Sequence, residues 1–102
     1  MAQWLKMDAV AEFVKKTATS ILGTSRVLLF GSRARGDHCA RSDYDFAILW
    51  TPTVTGRGPW ARFATEVRER APTLCEIDLV DLASDLDPGF YARISAEGIE
   101  VL

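Results

Sequence analysis

The chain has 102 residues, 48% apolar and 25% charged, and its twelve basic and fourteen acidic side chains leave a net charge of −2. This is the length and composition of one globular domain, so a single domain over residues 1–102 is expected. The slight negative charge argues against a bulk electrostatic grip on nucleic acid, two cysteines are too few for a disulfide scaffold, and apolar runs of about five residues fall far short of the roughly 20 that a membrane span needs. With no signal-peptide core between Met1 and Lys16, a cytoplasmic protein is the default expectation.

From Leu5 to Leu22, the apolar residues Val10, Phe13, Val14, Ala18, Ile21 and Leu22 have the spacing of an amphipathic helix, with Gly23 as its stop. Arg26–Phe30 reads as a short buried strand ending abruptly at Gly31. Asp43–Trp50 alternates, with Tyr44, Phe46, Ile48 and Trp50 on one face and Asp43, Asp45, Ala47 and Leu49 on the other. Thr51–Pro59, rich in Pro, Gly and Thr, reads as a flexible loop, and Pro59 opens a helix over Trp60–Arg70. Leu74–Val80 is a third strand. Asp87-Pro88-Gly89 breaks the chain before a short helix over Phe90–Ala96 and the terminal residues Ile99–Leu102. The expected fold is α/β (α+β), a small mixed sheet of about three strands covered on one face by helices.

The chemistry lies between Gly31 and Asp45. A strand running into Gly31-Ser32 brings the backbone into a tight turn that a ligand can approach closely. If Ser32 opens a short helix, the turn presents free N–H groups to a phosphate, with the Ser32 hydroxyl as a further donor. Arg33 and Arg35 can either help hold that phosphate or stand solvated. Asp43 and Asp45, two apart on a strand, share a face at about 6.5–7 Å along it. Aspartates are poor strand formers, and paired carboxylates of this kind suit Mg²⁺. Asp78 on the third strand makes a third carboxylate if that strand lies alongside, with Asp81 on the opposite face. Such a cluster can hold two metals. His38 reads as an exposed loop residue, Cys39 as a surface thiol and Cys75 as a buried strand residue. Trp4, Trp50 and Trp60 read as core or contact anchors.

Gly31-Ser32 followed by ten residues and then Asp43-x-Asp45 resembles the signature of the DNA polymerase beta-like nucleotidyltransferase superfamily. The loop Gly31-Ser-Arg-Ala-Arg-Gly36 looks like that of its minimal nucleotidyltransferase branch, and the strand at Ile77–Val80 resembles the one that bears the family's third carboxylate. The ending Ala92–Leu102 is similar to the usual close of these domains. Ala40-Arg41 stands where many relatives have Pro-Asp, adding positive charge beside the acids.

The resemblance implies that Asp43, Asp45 and Asp78 bind two Mg²⁺ ions and carry catalysis. It implies that Gly31 and Ser32, with Arg33 and Arg35 as helpers, hold the phosphates of ATP. It implies transfer of AMP to an acceptor hydroxyl with release of diphosphate. Minimal members pair with HEPN-type RNase toxins as their antitoxins, which implies a cognate toxin encoded by the adjacent gene, modified on a tyrosine. A homo-oligomer is compatible with the small size. Two other functions remain open: an antitoxin that acts by binding alone, and transfer to a small molecule such as an aminoglycoside.

Overall fold

A computed structural model of the chain describes residues 8–23, 25–52 and 58–101. Its elements, in order, are α1 (Ala9–Leu22), β1 (Ser25–Phe30), α2 (Ser32–Arg35), β2 (Tyr44–Trp50), α3 (Gly58–Arg70), β3 (Ile77–Asp81), α4 (Pro88–Glu97) and β4 (Ile99–Val101). The expected helix start at Leu5 and the Trp4 anchor lie outside the described residues, as does the middle of the loop expected over Thr51–Pro59.

The mixed α/β architecture is as expected, with one more strand than the sequence suggested. The sheet order is β3-β2-β1-β4. β2 and β4 flank β1 and run antiparallel to it, while β3 runs parallel to β2. A parallel neighbour requires a crossover, and α3 supplies it.

The helices do not all lie on one face. β1 is apolar on both sides, so both need cover. On one side Val27 and Leu29 meet Phe46 and Ile48 of β2, Val14 and Ala18 of α1, and Phe63 and Val67 of α3, all nearly or fully buried. On the other, Phe30 and Ala47 pack against Ile94 of α4, with Leu28, Val80 and Phe90 around them. Burying each large side chain in this way contributes about 1.5–3 kcal/mol.

Local chemistry sets the boundaries. Asp8 caps α1, accepting from the amides of Val10 at 2.8 Å and Ala11 at 3.1 Å. Asp87 caps α4 by accepting from Phe90 N at 3.1 Å, so Pro88 becomes a first-turn residue and the helix begins earlier than the chain break at Asp87–Gly89 suggested. β3 starts at Ile77 instead of Leu74, whose side chain is fully exposed. Cys75 therefore precedes the strand and is only half-buried, contrary to its expected place inside it. Trp50 is buried and stacks on Trp60 at 6.3 Å between ring centroids, and its indole N–H donates to Asp81 at 2.8 Å. Asp81, facing away from Asp78 as the alternation required, thus anchors the core.

Candidate active site

β1 stops at Phe30, and the chain turns at Gly31 with φ +76° and ψ −156°. A side chain is excluded there twice over. The backbone lies where L residues are strained, and a Cβ would run into Asp45 Oδ2, with Asp45 Cγ only 3.1 Å away. The amides of Ala34 and Arg35 donate back to Gly31 O at 3.1 and 3.0 Å, closing the single turn of α2. Its first N–H groups have no partner within the helix. Gly36, at φ +86°, ends the turn by donating to Ser32 O.

Opposite this turn the sheet assembles the acids. The parallel register of β2 and β3 makes Asp45 and Asp78 direct neighbours. Asp43, two residues earlier on the same face, completes the set. All three carboxylates line one cleft of about 700 Å³ together with Gly31 and Ser32. Burial holds the Asp45 carboxyl above its ordinary value, and the charge and hydrogen bond of Asp78 and the charge of Asp43 raise it further, against a smaller opposing pull from Arg35. Like charges held this close favour keeping a proton on one of them.

Among the described residues no three acidic or other ligating side chains form a ready-made metal cage. The donor set suits Mg²⁺ nonetheless. Mg²⁺ takes hard oxygen ligands, and commonly one or two carboxylates whose shell is completed by water and substrate phosphates. The raised carboxyl of Asp45 and the glycine cradle above it mark where a cation would relieve the repulsion.

The two helper arginines part company. Arg35 lines the cleft. Its guanidinium also meets Asp37 at 3.2 Å and Glu97 at 3.3 Å. Arg33 turns to the other side of the sheet, where its guanidinium sits 3.9 Å from the Tyr44 ring centroid. It donates to Ser42 O at 3.0 and 3.2 Å and to Ala40 O at 3.3 Å, with Cys75 Sγ at 3.8 Å. Its donors hold the loop that leads into Asp43, so the geometry gives it a place behind the loop and outside the lining of the cleft. Residues two apart on a helix do not share a face, which is why the pair separates.

Arg41 lines the cleft, and so do Phe90 and Arg93 of α4, which lie outside the Gly31–Asp45 motif. Phe90, Arg93 and Glu97 recur at helical spacing, and that was the available signal. His38 and Cys39 are exposed on the loop beyond α2, away from the lining of the cleft.

Comparison with known proteins agrees with this architecture. Residues 12–102 match the family model "Polymerase beta, Nucleotidyltransferase". No curated protein matches the sequence. Among solved structures, a toxin–antitoxin with AMP-PNP superposes with TM-score 0.69 at 23% identity, covering 88% of this chain and 70% of that one. A MntA–HepT toxin–antitoxin structure gives TM-score 0.63 at 21% identity over 89% and 68% of the two chains. A protein from Shewanella oneidensis gives TM-score 0.68 at 15% identity over 95% and 72%. With the family model spanning nearly the whole sequence and the carboxylate cleft facing a Gly-Ser turn, the chain belongs to the polymerase beta nucleotidyltransferase family.

Proposed function

We propose that this chain is a Mg²⁺-dependent protein adenylyltransferase, transferring AMP from ATP to a tyrosine hydroxyl of a cognate HEPN-type RNase toxin and acting as its antitoxin. The observation that carries the reading is the cleft itself, where Asp43, Asp45 and Asp78 converge opposite the Gly31-Ser32 turn. The solved toxin–antitoxin structures of similar fold, one with AMP-PNP, support the choice of partner and nucleotide.

In this reading the Gly31-Ser32 turn takes the β- and γ-phosphates, with Arg35 beside it. Arg41 and Arg93 line the same cleft and add positive charge for a substrate carrying several negative charges. Asp43 and Asp45 would hold two Mg²⁺ ions, and Asp78 would complete the site of one. When bound, Mg²⁺ would supply charge neutralisation for the transferred phosphoryl group and acidify the attacking hydroxyl. Asp78, in the same cleft, would accept the proton of that hydroxyl. The acceptor oxygen forms a bond to the α-phosphorus, the bond to the bridging oxygen breaks, and diphosphate leaves. Most of the rate comes from positioning and electrostatics, which a rigid two-strand platform supplies.

The test is to incubate the protein with Mg²⁺, ATP and the product of the adjacent gene and weigh the partner intact. Added AMP units, lost in the Asp43→Asn/Asp45→Asn double variant, are expected. A partner silenced without modification, and equally by the double variant, would replace this reading with neutralisation by binding.

A further inference from the structure

β4 is only three residues long, yet its register reaches the phosphate-facing turn. Leu29 pairs with Ile99, so the antiparallel ladder continued by two residues sets Gly31 opposite Glu97. Glu97 ends α4 and precedes Gly98, where a Cβ would come within 2.7 Å of Ile94 O and 3.4 Å of Leu28 Cβ. Only a glycine lets the chain pass so closely from helix to strand, and that passage fixes Glu97 beneath the turn. Its carboxylate, mostly shielded from solvent, accepts from Gly31 N at 3.2 Å and from Arg35 Nη1 at 3.3 and 3.4 Å.

We propose that Glu97 is the positioning residue of the Gly31-Ser32 turn, holding the Gly31 amide and the Arg35 guanidinium from behind so that the turn meets the triphosphate already formed. This rests on the nucleotide-binding reading above and adds a residue that touches neither nucleotide nor metal. The chemistry is specific. Gly31 is buried, and its N–H donates to Glu97, which is not among the residues lining the cleft. Without an acceptor that amide is an orphan donor, and the backbone has reason to leave its positive-φ conformation. A carboxylate satisfies it and at the same time fixes one of the cleft's arginines by a charge-assisted contact. Because α4 also carries Phe90 and Arg93 into the cleft, Glu97 ties the wall they form to the turn.

Two variants of similar size separate turn positioning from charge. Glu97→Gln keeps an acceptor for Gly31 N–H, whereas Glu97→Met keeps the bulk without one. Titration with Mg²⁺ and AMP-PNP should give Glu97→Gln an affinity within about threefold of wild type and Glu97→Met an affinity at least about tenfold weaker. Binding by Glu97→Met at wild-type affinity overturns the proposal, and so does equal weakening of both variants, which would assign the effect to charge alone. Hydrogen exchange of the Gly31 amide in the wild type needs no variant. Protection is expected in the free protein, and an unprotected Gly31 amide in a folded chain overturns the proposal even if Glu97→Met does not fold. Failure of the wild type to bind Mg²⁺ and AMP-PNP would instead sink the nucleotide-binding reading, and the exchange result would still judge the Glu97 contact.

Discussion

Replacing Asp45 by Asn tests the site through stability as well as activity. Asp45 is half-buried in β2, with Asp78 as its register partner across the sheet. Its folded pKa is raised above the ordinary 3.8, by burial first and then by Asp78 and Asp43. A raised carboxyl pKa means that the folded state binds the proton more tightly than the unfolded chain does. The ionised form therefore destabilises the metal-free protein above the folded pKa, and the cost disappears as pH falls to the ordinary value. An amide of the same shape carries no such cost. Solvent screening at this partly exposed position holds the gain to about 0.5–1 kcal/mol at pH 7. For a domain of this size that raises the melting temperature by about 2–6 °C. The assay is thermal unfolding of both proteins with chelator at pH 7 and again below pH 4, where the difference should vanish. Mg²⁺ and AMP-PNP should reverse the order at pH 7, adding about 2.7 kcal/mol to the wild type at 100 times Kd and nothing to the variant. A variant less stable than wild type without metal, by about 1 kcal/mol or more, would refute the reasoning and make Asp45 a structural acceptor. So would a difference that does not change with pH.

Two further substitutions probe the frame of the cleft. Gly31→Ala combines a strained φ with collision against Asp45, so it should cost about 2–4 kcal/mol in chemical denaturation, against about 1 kcal/mol for Gly36→Ala, where a Cβ meets nothing within 4 Å. Equal costs at the two glycines would contradict the close approach of the turn to the carboxylate. Arg33→Met removes the guanidinium from Ser42 O, Ala40 O and the Tyr44 ring, so trypsin should cut at Arg41 several-fold faster, with a stability loss of about 1–2 kcal/mol. Unchanged cleavage with a large loss of nucleotide affinity would return Arg33 to the phosphate.

The local pieces were legible in the order of residues because each had a local cause. Gly31 before Ser32, the period-two pattern through Tyr44–Trp50 and the helical spacings of α1 and α3 are all set by neighbours a few residues away. Asp43 and Asp45 share a face because strand side chains alternate, and no tertiary contact is needed for that. The tertiary structure alone decided that Asp45 lies against Asp78, since a parallel register is fixed by the crossover through α3 and its packing. It alone made a strand of Ile99–Val101, too short to show a pattern, by offering it the free edge of β1. It sent α4 to the opposite face because Leu28 and Phe30 needed cover, and so brought Phe90, Arg93 and Glu97 to the cleft and its turn. The divergence of Arg33 from Arg35 lies between these cases. Helical geometry separates two such side chains from sequence alone, but only the Tyr44 ring and the carbonyls of Ala40 and Ser42 decided which of them would face away from the cleft.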